Sequence, residues 1–188
     1  MINLTIKDQQ LMFKTSKEVF SPNNIDKGTL SMLSLVEFSK GDKILDLGCG
    51  YGVVGILAAK FVGPENVVMV DIDPKALELA KENILINEVS GVHIYESDGF
   101  KDFNESNFDM ILSNPPYHTD FSVPKHFIEK GFNRLKIGGK MYLVTKRKDW
   151  YKNKMIAIFG GVRIWEEDGY YVFMSIKNSP NYANKSRK

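Results

Sequence analysis

One cysteine, Cys49, occurs in 188 residues, so no intramolecular disulfide can form, and a reducing compartment suits the chain. Long apolar runs are missing as well. The most apolar stretch, residues 52–62, is interrupted by Lys60 and is too short to span a bilayer. The opening segment MINLTIKDQQ lacks the basic-then-apolar pattern of a secretory signal, so the expectation is a cytoplasmic protein with no membrane partner. Charge of one sign is not in excess. Lys and Arg number 25 against 23 Asp and Glu, for a net +2. Bulk charge therefore neither requires nor excludes a nucleic-acid partner, and any basic surface must be local. The histidines are few; His93 and His126 fall in a predicted strand and helix without metal-ligand spacing, and no metal site is expected. No repeat or linker divides the chain. The expectation is one domain over 1–188, with a lead-in and helix over 1–40, a core over 41–177 and a basic tail over 178–188 that carries Lys185, Arg187 and Lys188. A monomer or weak homodimer is expected.

What the chain does have is short apolar runs alternating with helix-like segments, the pattern of βα units and a mostly parallel sheet. Strands are predicted at 43–47, 67–70, 92–95, 108–112 and 140–145. Several are continuously apolar, as suits strands covered on both faces. Helices are predicted at 29–38, 53–61, 74–86, 124–135 and 149–158. The 74–86 segment is the clearest, with Ala76, Leu77, Ala80 and Ile84 at helical spacing, Asp73 as N-cap and Pro74 at the first helical position. Two further strands, 162–165 and 170–176, flank Asp168-Gly169, a strong hairpin signal. The sum is an α/β fold of about seven strands, mostly parallel, closed by an antiparallel C-terminal hairpin, with helices on both faces.

The strongest local signal is Asp46-Leu47-Gly48-Cys49-Gly50-Tyr51-Gly52, a buried strand entering a glycine-rich turn that opens a helix. Glycine permits close backbone approach to a ligand, and a helix N-terminus offers free N–H groups. The dinucleotide fingerprint requires a third small residue at the position of Val53, so that class fails. The next strand ends in Asp71-Ile72-Asp73, about twenty residues on, where a carboxylate can accept both ribose hydroxyls. Asp71 is assigned to the ribose and Ile72 to the adenine face. Asp98, after the third strand, is assigned to the adenine amino group, with turn formation as its other reading. Asp73 reads as a helix cap rather than a ligand.

The strand at 108–112 runs into Ser113-Asn114-Pro115-Pro116-Tyr117. Two prolines stiffen this backbone in an extended form. The Asn114 amide oxygen and the Pro115 carbonyl can accept both hydrogens of an –NH₂ group and aim its lone pair. Tyr117 can stack on a planar substrate.

Gly48-x-Gly50-x-Gly52 preceded by Asp46 resembles motif I of the class I S-adenosylmethionine (SAM)-dependent methyltransferases, and Asn114–Tyr117 resembles the Asn/Asp-Pro-Pro-Tyr/Phe motif of their amino-methylating members. The resemblance implies a Rossmann-like fold, SAM as cofactor, and N-methylation rather than O-methylation. Methylation of pyrimidine carbon is disfavoured too, because the only cysteine lies in the cofactor loop. Three acceptors share the motif: guanine N2 in RNA, adenine N6, and a protein glutamine amide. Val19-Phe20-Ser21 and Asp26-Lys27-Gly28-Thr29, with His118 after the tetrad and Gly138-Gly139 further on, are similar to the small-subunit ribosomal RNA guanine-N2 methyltransferases as a stand-alone catalytic domain. That likeness implies cofactor contacts at Asp46, Gly48, Gly50, Gly52, Asp71, Ile72, Asp98, Asn114 and Thr29, and catalysis at Asn114, Pro115 and Tyr117. It implies substrate contacts at Phe20, Pro116, Tyr117 and His118. Lys146, Arg147 and Lys148, followed by Trp150 and Tyr151, are candidates to grip ribosomal RNA or a ribosomal subunit. The same segment also reads as a solvated helix start with its aromatics turned inward. A non-catalytic SAM- or RNA-binding module is the alternative of another class.

Overall fold

The computed structural model describes residues 1–116 and 120–184. In chain order it contains β1 (Ile2–Ile6), β2 (Gln9–Phe13), α1 (Lys27–Leu35), β3 (Ile44–Leu47), α2 (Val53–Val62), β4 (Val67–Asp71), α3 (Pro74–Ile86), β5 (His93–Glu96), β6 (Phe108–Ser113), α4 (Ser122–Arg134), β7 (Leu135–Thr145), α5 (Asp149–Phe159), β8 (Arg163–Glu167) and β9 (Tyr170–Ile176). Seven strands form one sheet in the order β5-β4-β3-β6-β7-β9-β8. The first five in that order pair in parallel, and β9 joins β7 and β8 antiparallel.

Alternate residues of the same strands face two cores, which is why these strands read as unbroken apolar runs. Met69, Met110, Tyr142 and Val172 face α1, α2 and α3. Leu47, Val70, Ile111, Leu143 and Phe173 face α4 and α5. The predicted helix at 74–86 is α3 to the residue, with the Asp73 carboxylate accepting the Lys75 N–H at 3.0 Å. The turn between β8 and β9 places Asp168 and Gly169 at φ 49° and 80°, as a tight hairpin requires.

Three features differ from the sequence expectation. β1 and β2 form a separate antiparallel hairpin. Its turn residues, Lys7 and Asp8, both take positive φ without the glycine that normally announces such a turn. The hairpin is fastened by two buried asparagines one turn apart, Asn83 on α3 and Asn87 at its C-cap. Asn87 accepts the Met12 N–H at 3.0 Å and donates to its carbonyl at 2.8 Å, and Asn83 does the same for Lys14 at 2.7 and 3.0 Å. α1 begins at Lys27 rather than 29 because Asp26 caps it, and it ends at Leu35 rather than 38, where Val36 turns extended. β7 starts at Leu135 rather than 140 and carries Gly138-Gly139 within it. There the register against β6 shifts between Phe108 and Met110. No helix among the described residues is long and apolar enough to cross a membrane.

Candidate active site

The strand order reverses direction between β3 and β6, and open α/β sheets bind ligands outside the carboxyl ends of the strands at such a point. Leu47 pairs with Ser113 there, and the Ser113 hydroxyl donates to the Leu47 carbonyl at 2.7 Å. The glycine turn after β3 and Asn114 after β6 are thereby brought side by side. Between them opens a cleft of ≈ 340 Å³, lined by Gly48, Gly50, Asp71, Ile72, Asp98 and Asn114 among others. It adjoins a smaller cavity of ≈ 80 Å³ with Asp26, Thr29, Asp46 and Cys49 in its wall. Phe20, Gly48, Gly50 and Asn114 border both. Phe20 and Ile72, 56% and 61% exposed, both border the larger cleft, so their apolar faces are accessible to a ligand there. A larger groove of ≈ 510 Å³ lies between the β1–β2 hairpin and the end of α3, walled by Asn3, Gln10, Lys60 and Asn87. None of the residues assigned to chemistry reaches it.

The acids of the site have distinct jobs. Asp71 Oδ2 accepts the Gly50 N–H at 2.8 Å, and Oδ1 accepts the Asp73 N–H at 2.9 Å. It therefore ties the glycine turn to the end of β4, and each oxygen retains a lone pair for a ligand. Asp98 lines the larger cleft and is ion-paired with Lys101. Asp46 is buried, and its Oδ2 accepts the Gly55 N–H at 2.8 Å. It supplies the cap that α2 lacks, since the N-cap residue Gly52 has no side chain to give. Gly55 was missed in the sequence. A Cβ there would sit 2.5 Å from Met69 Cγ, so the close helix–strand packing that Val53 cannot provide is provided two residues later. The spacing Gly48-Gly50-Gly52-Gly55 was the available signal.

Burial pushes the Asp46 carboxyl up to about 7, opposed by the Gly55 N–H and assisted by the Asp71 charge. A folded pKa above the unfolded value of 3.8 means the folded state holds the extra proton. Its stabilising contribution is full below pH 4 and is lost as pH rises toward 7. Asp46→Asn, which keeps an oxygen for Gly55, should remove that dependence. Denaturant titrations at pH 5 and 8 should show the parent losing stability relative to the variant by a few kcal/mol at most, and parallel pH curves would contradict it. The Cys49 thiol is pushed well up by burial and by the Asp46 and Asp71 charges, which keeps it protonated and unsuited to nucleophilic attack.

Asn114 is held by its amide nitrogen. Nδ2 donates to Asp26 Oδ2 at 2.9 Å and to Thr29 Oγ1 at 3.0 Å. A carboxylate can only accept, so the orientation of the amide is unambiguous and Oδ1 is the group left for a ligand. Thr29, expected at the cofactor, has its hydroxyl accepting from Asn114 at the wall of the small cavity. Pro115 and Pro116 line the larger cleft. Tyr117 and His118 lie outside the described residues, as do Lys185, Arg187 and Lys188.

Lys146, Arg147 and Lys148 are exposed between β7 and α5. Each cation lies near an aromatic face: Lys146 is 4.9 Å from the Tyr170 ring, Arg147 4.9 Å from Phe121 and Lys148 5.8 Å from Tyr171. The aromatics of the segment turn inward. Tyr151 is buried and Trp150 stacks on Phe121 at 4.5 Å, so base stacking by this pair is replaced by packing while the charges stay at the surface. His126 Nε2 accepts the Phe100 N–H at 3.1 Å, and burial lowers its pKa. It is structural, as expected. Among the described residues no group of three or more His, Cys, Asp or Glu could hold a metal.

Residues 10–175 match the family described as methyltransferase small domain. The chain is 34% identical over 164 residues to ribosomal RNA small subunit methyltransferase C of Haemophilus influenzae (strain PittGG), covering 85% of this chain and 49% of that protein. It spans about half the length of the first curated relatives it matches. An exception is an uncharacterized Bacillus subtilis protein, YbxB, 29% identical with 92% of this chain and 89% of that one covered. Among solved structures, the T. thermophilus 16S rRNA N2 G1207 methyltransferase in complex with AdoMet and guanosine superposes with a TM-score of 0.86 at 25% identity, over 94% of this chain and 50% of that one.

Proposed function

The chain belongs to the methyltransferase small domain family, and on that premise we propose that it transfers the methyl group of SAM to the exocyclic N2 of guanine in small-subunit ribosomal RNA. The observation that carries this reading is Asn114, clamped through Nδ2 so that its oxygen is offered at the junction of the two cavities. An acceptor is what an –NH₂ target requires.

The cleft fits the cofactor. Its larger part is mostly apolar, with Ile72 exposed for an adenine face and acids at Asp71 and Asp98 for ribose and adenine amine. Its smaller part, beside the glycine turn, has Asp46 in its wall for a cationic methionine end. SAM supplies a methyl group already activated on a sulfonium. The chain's own residues align the nitrogen. Asn114 Oδ1 and the Pro115 carbonyl accept the two amine hydrogens, which holds the lone pair out of conjugation with the ring. Such alignment contributes roughly 7–11 kcal/mol in favourable cases. No strong base is required, because an amine nitrogen that has become cationic gives up its proton readily to water. Phe20 at the shared rim supplies a face for the base.

RNA as partner is supported by the relatives' names and by the exposed triad Lys146, Arg147 and Lys148. Reversing all three charges should raise KM for RNA and flatten its salt dependence, with SAM affinity nearly constant. Filter binding across a salt series checks this, and an unmoved slope would place the RNA grip elsewhere. The proposal as a whole is tested by incubating the protein with labelled SAM and small ribosomal subunits that lack the modification, then separating RNA from protein. Label in RNA is expected; label confined to protein would favour a glutamine acceptor.

A further inference from the structure

Asp26 does more than cap a helix. Its Oδ2 accepts both the Thr29 N–H at 2.9 Å and Asn114 Nδ2 at 2.9 Å, and Oδ1 accepts the Tyr170 hydroxyl at 3.3 Å. One half-buried carboxylate thus joins the start of α1, the residue after β6 and the start of β9. Gly28 makes the junction possible. A Cβ there would lie 2.5 Å from the Tyr170 ring and 2.9 Å from Asp26 Oδ2, so any side chain at 28 would push Tyr170 and Asp26 out of place.

A primary amide has two orientations of nearly equal shape, with opposite hydrogen-bonding character. Turned one way, Asn114 offers the cleft an acceptor suited to an amine. Turned the other, it offers donors suited to a carbonyl or hydroxyl. With Asp26 beside it, the second orientation sets the amide oxygen against a carboxylate, two acceptors with no proton between them. We propose that Asp26 is a positioning residue that locks Asn114 with its oxygen toward the cleft, and so makes the site selective for amino acceptors. The inference rests on the reading of Asn114 as the amine acceptor. Tyr170 and the helix cap in turn fix the carboxylate.

A plain cap and a positioning residue behave differently under substitution. Serine caps a helix about as well as aspartate but is too short to reach Asn114. Asp26→Ser should therefore lower the melting temperature only modestly and hold SAM affinity within about threefold, while kcat on unmodified small-subunit RNA falls roughly ten- to a hundredfold. Asp26→Asn, whose oxygen can still accept from both Thr29 and Asn114, should stay within about fivefold of the parent. In an Asn114→Ala background, Asp26→Ser should cost nothing more. Retained kcat in Asp26→Ser, or an equal further loss in the alanine background, overturns the inference. Failure of the underlying reading looks different, as it appears in Asn114→Ala itself keeping its turnover. A readout independent of turnover is the Asn114 side-chain amide in ¹⁵N–¹H spectra. Its protons should exchange slowly in the parent and fast in Asp26→Ser, and in Asp26→Thr should the serine variant be poorly folded. Unchanged exchange overturns the clamp.

Discussion

Asn114→Ala should lower kcat by ~10²–10³, the usual consequence of deleting one preorganised polar group at a reacting centre. SAM affinity should change much less. The larger cleft keeps Asp71, Ile72 and Asp98, and the glycine turn keeps its bonds to Asp71 and Val70. The alanine variant does remove two hydrogen bonds, to Asp26 and Thr29. Asp26 remains satisfied by the Thr29 N–H and the Tyr170 hydroxyl, so the fold should persist. Single-turnover kinetics with calorimetric SAM titration separates the two effects. Near-normal turnover would remove the amine-acceptor mechanism even if the cofactor still bound. From the motif alone, Asn114→Asp looks mild, since related enzymes carry aspartate there. The structure argues otherwise, because that change sets a second carboxylate against Asp26.

The second large effect is expected at Asp71. Its truncation to alanine removes the acceptor assigned to the ribose and should weaken SAM binding roughly ten- to a hundredfold, since hydrogen bonds involving a charged group contribute about 1.5–3 kcal/mol. It also frees the Gly50 and Asp73 N–H groups, so a modest drop in melting temperature should accompany the loss. Asp71→Asn separates the roles. One amide oxygen can still hold Gly50, but a single acceptor cannot serve two ribose hydroxyls. Unchanged SAM affinity in a folded alanine variant would mean the ribose lies elsewhere.

What could be read from the sequence depended on how local its cause was. α3 was legible to the residue because its cap, its proline and its apolar spacing are all contained in 73–86. The positions of Asp71 and Asn114 followed from strand ends, which the apolar runs mark. The β1–β2 hairpin was not legible, because Lys7 and Asp8 adopt the left-handed region without glycine and because the asparagines that hold Met12 and Lys14 lie about seventy residues away. Gly55 escaped because its role is defined by Met69 on another strand. The orientation of Asn114 depends on Asp26, 88 residues earlier. A motif can place a residue in the sequence, but the way its amide faces is set by a partner that only the fold brings near. The basic segment at 146–148 was ambiguous for the same reason, since the partners that draw Trp150 and Tyr151 inward are Phe121 and Phe173.

Methylation of an exocyclic amine of guanine can be read from the nucleoside that is formed. Small ribosomal subunits lacking the modification should be incubated with the protein and labelled SAM, and their RNA digested to nucleosides. Label is expected in N2-methylguanosine, and it should be lost when Asn114→Ala replaces the parent. Label in a ribose-methylated or carbon-methylated nucleoside, with none on an amino group, would contradict it.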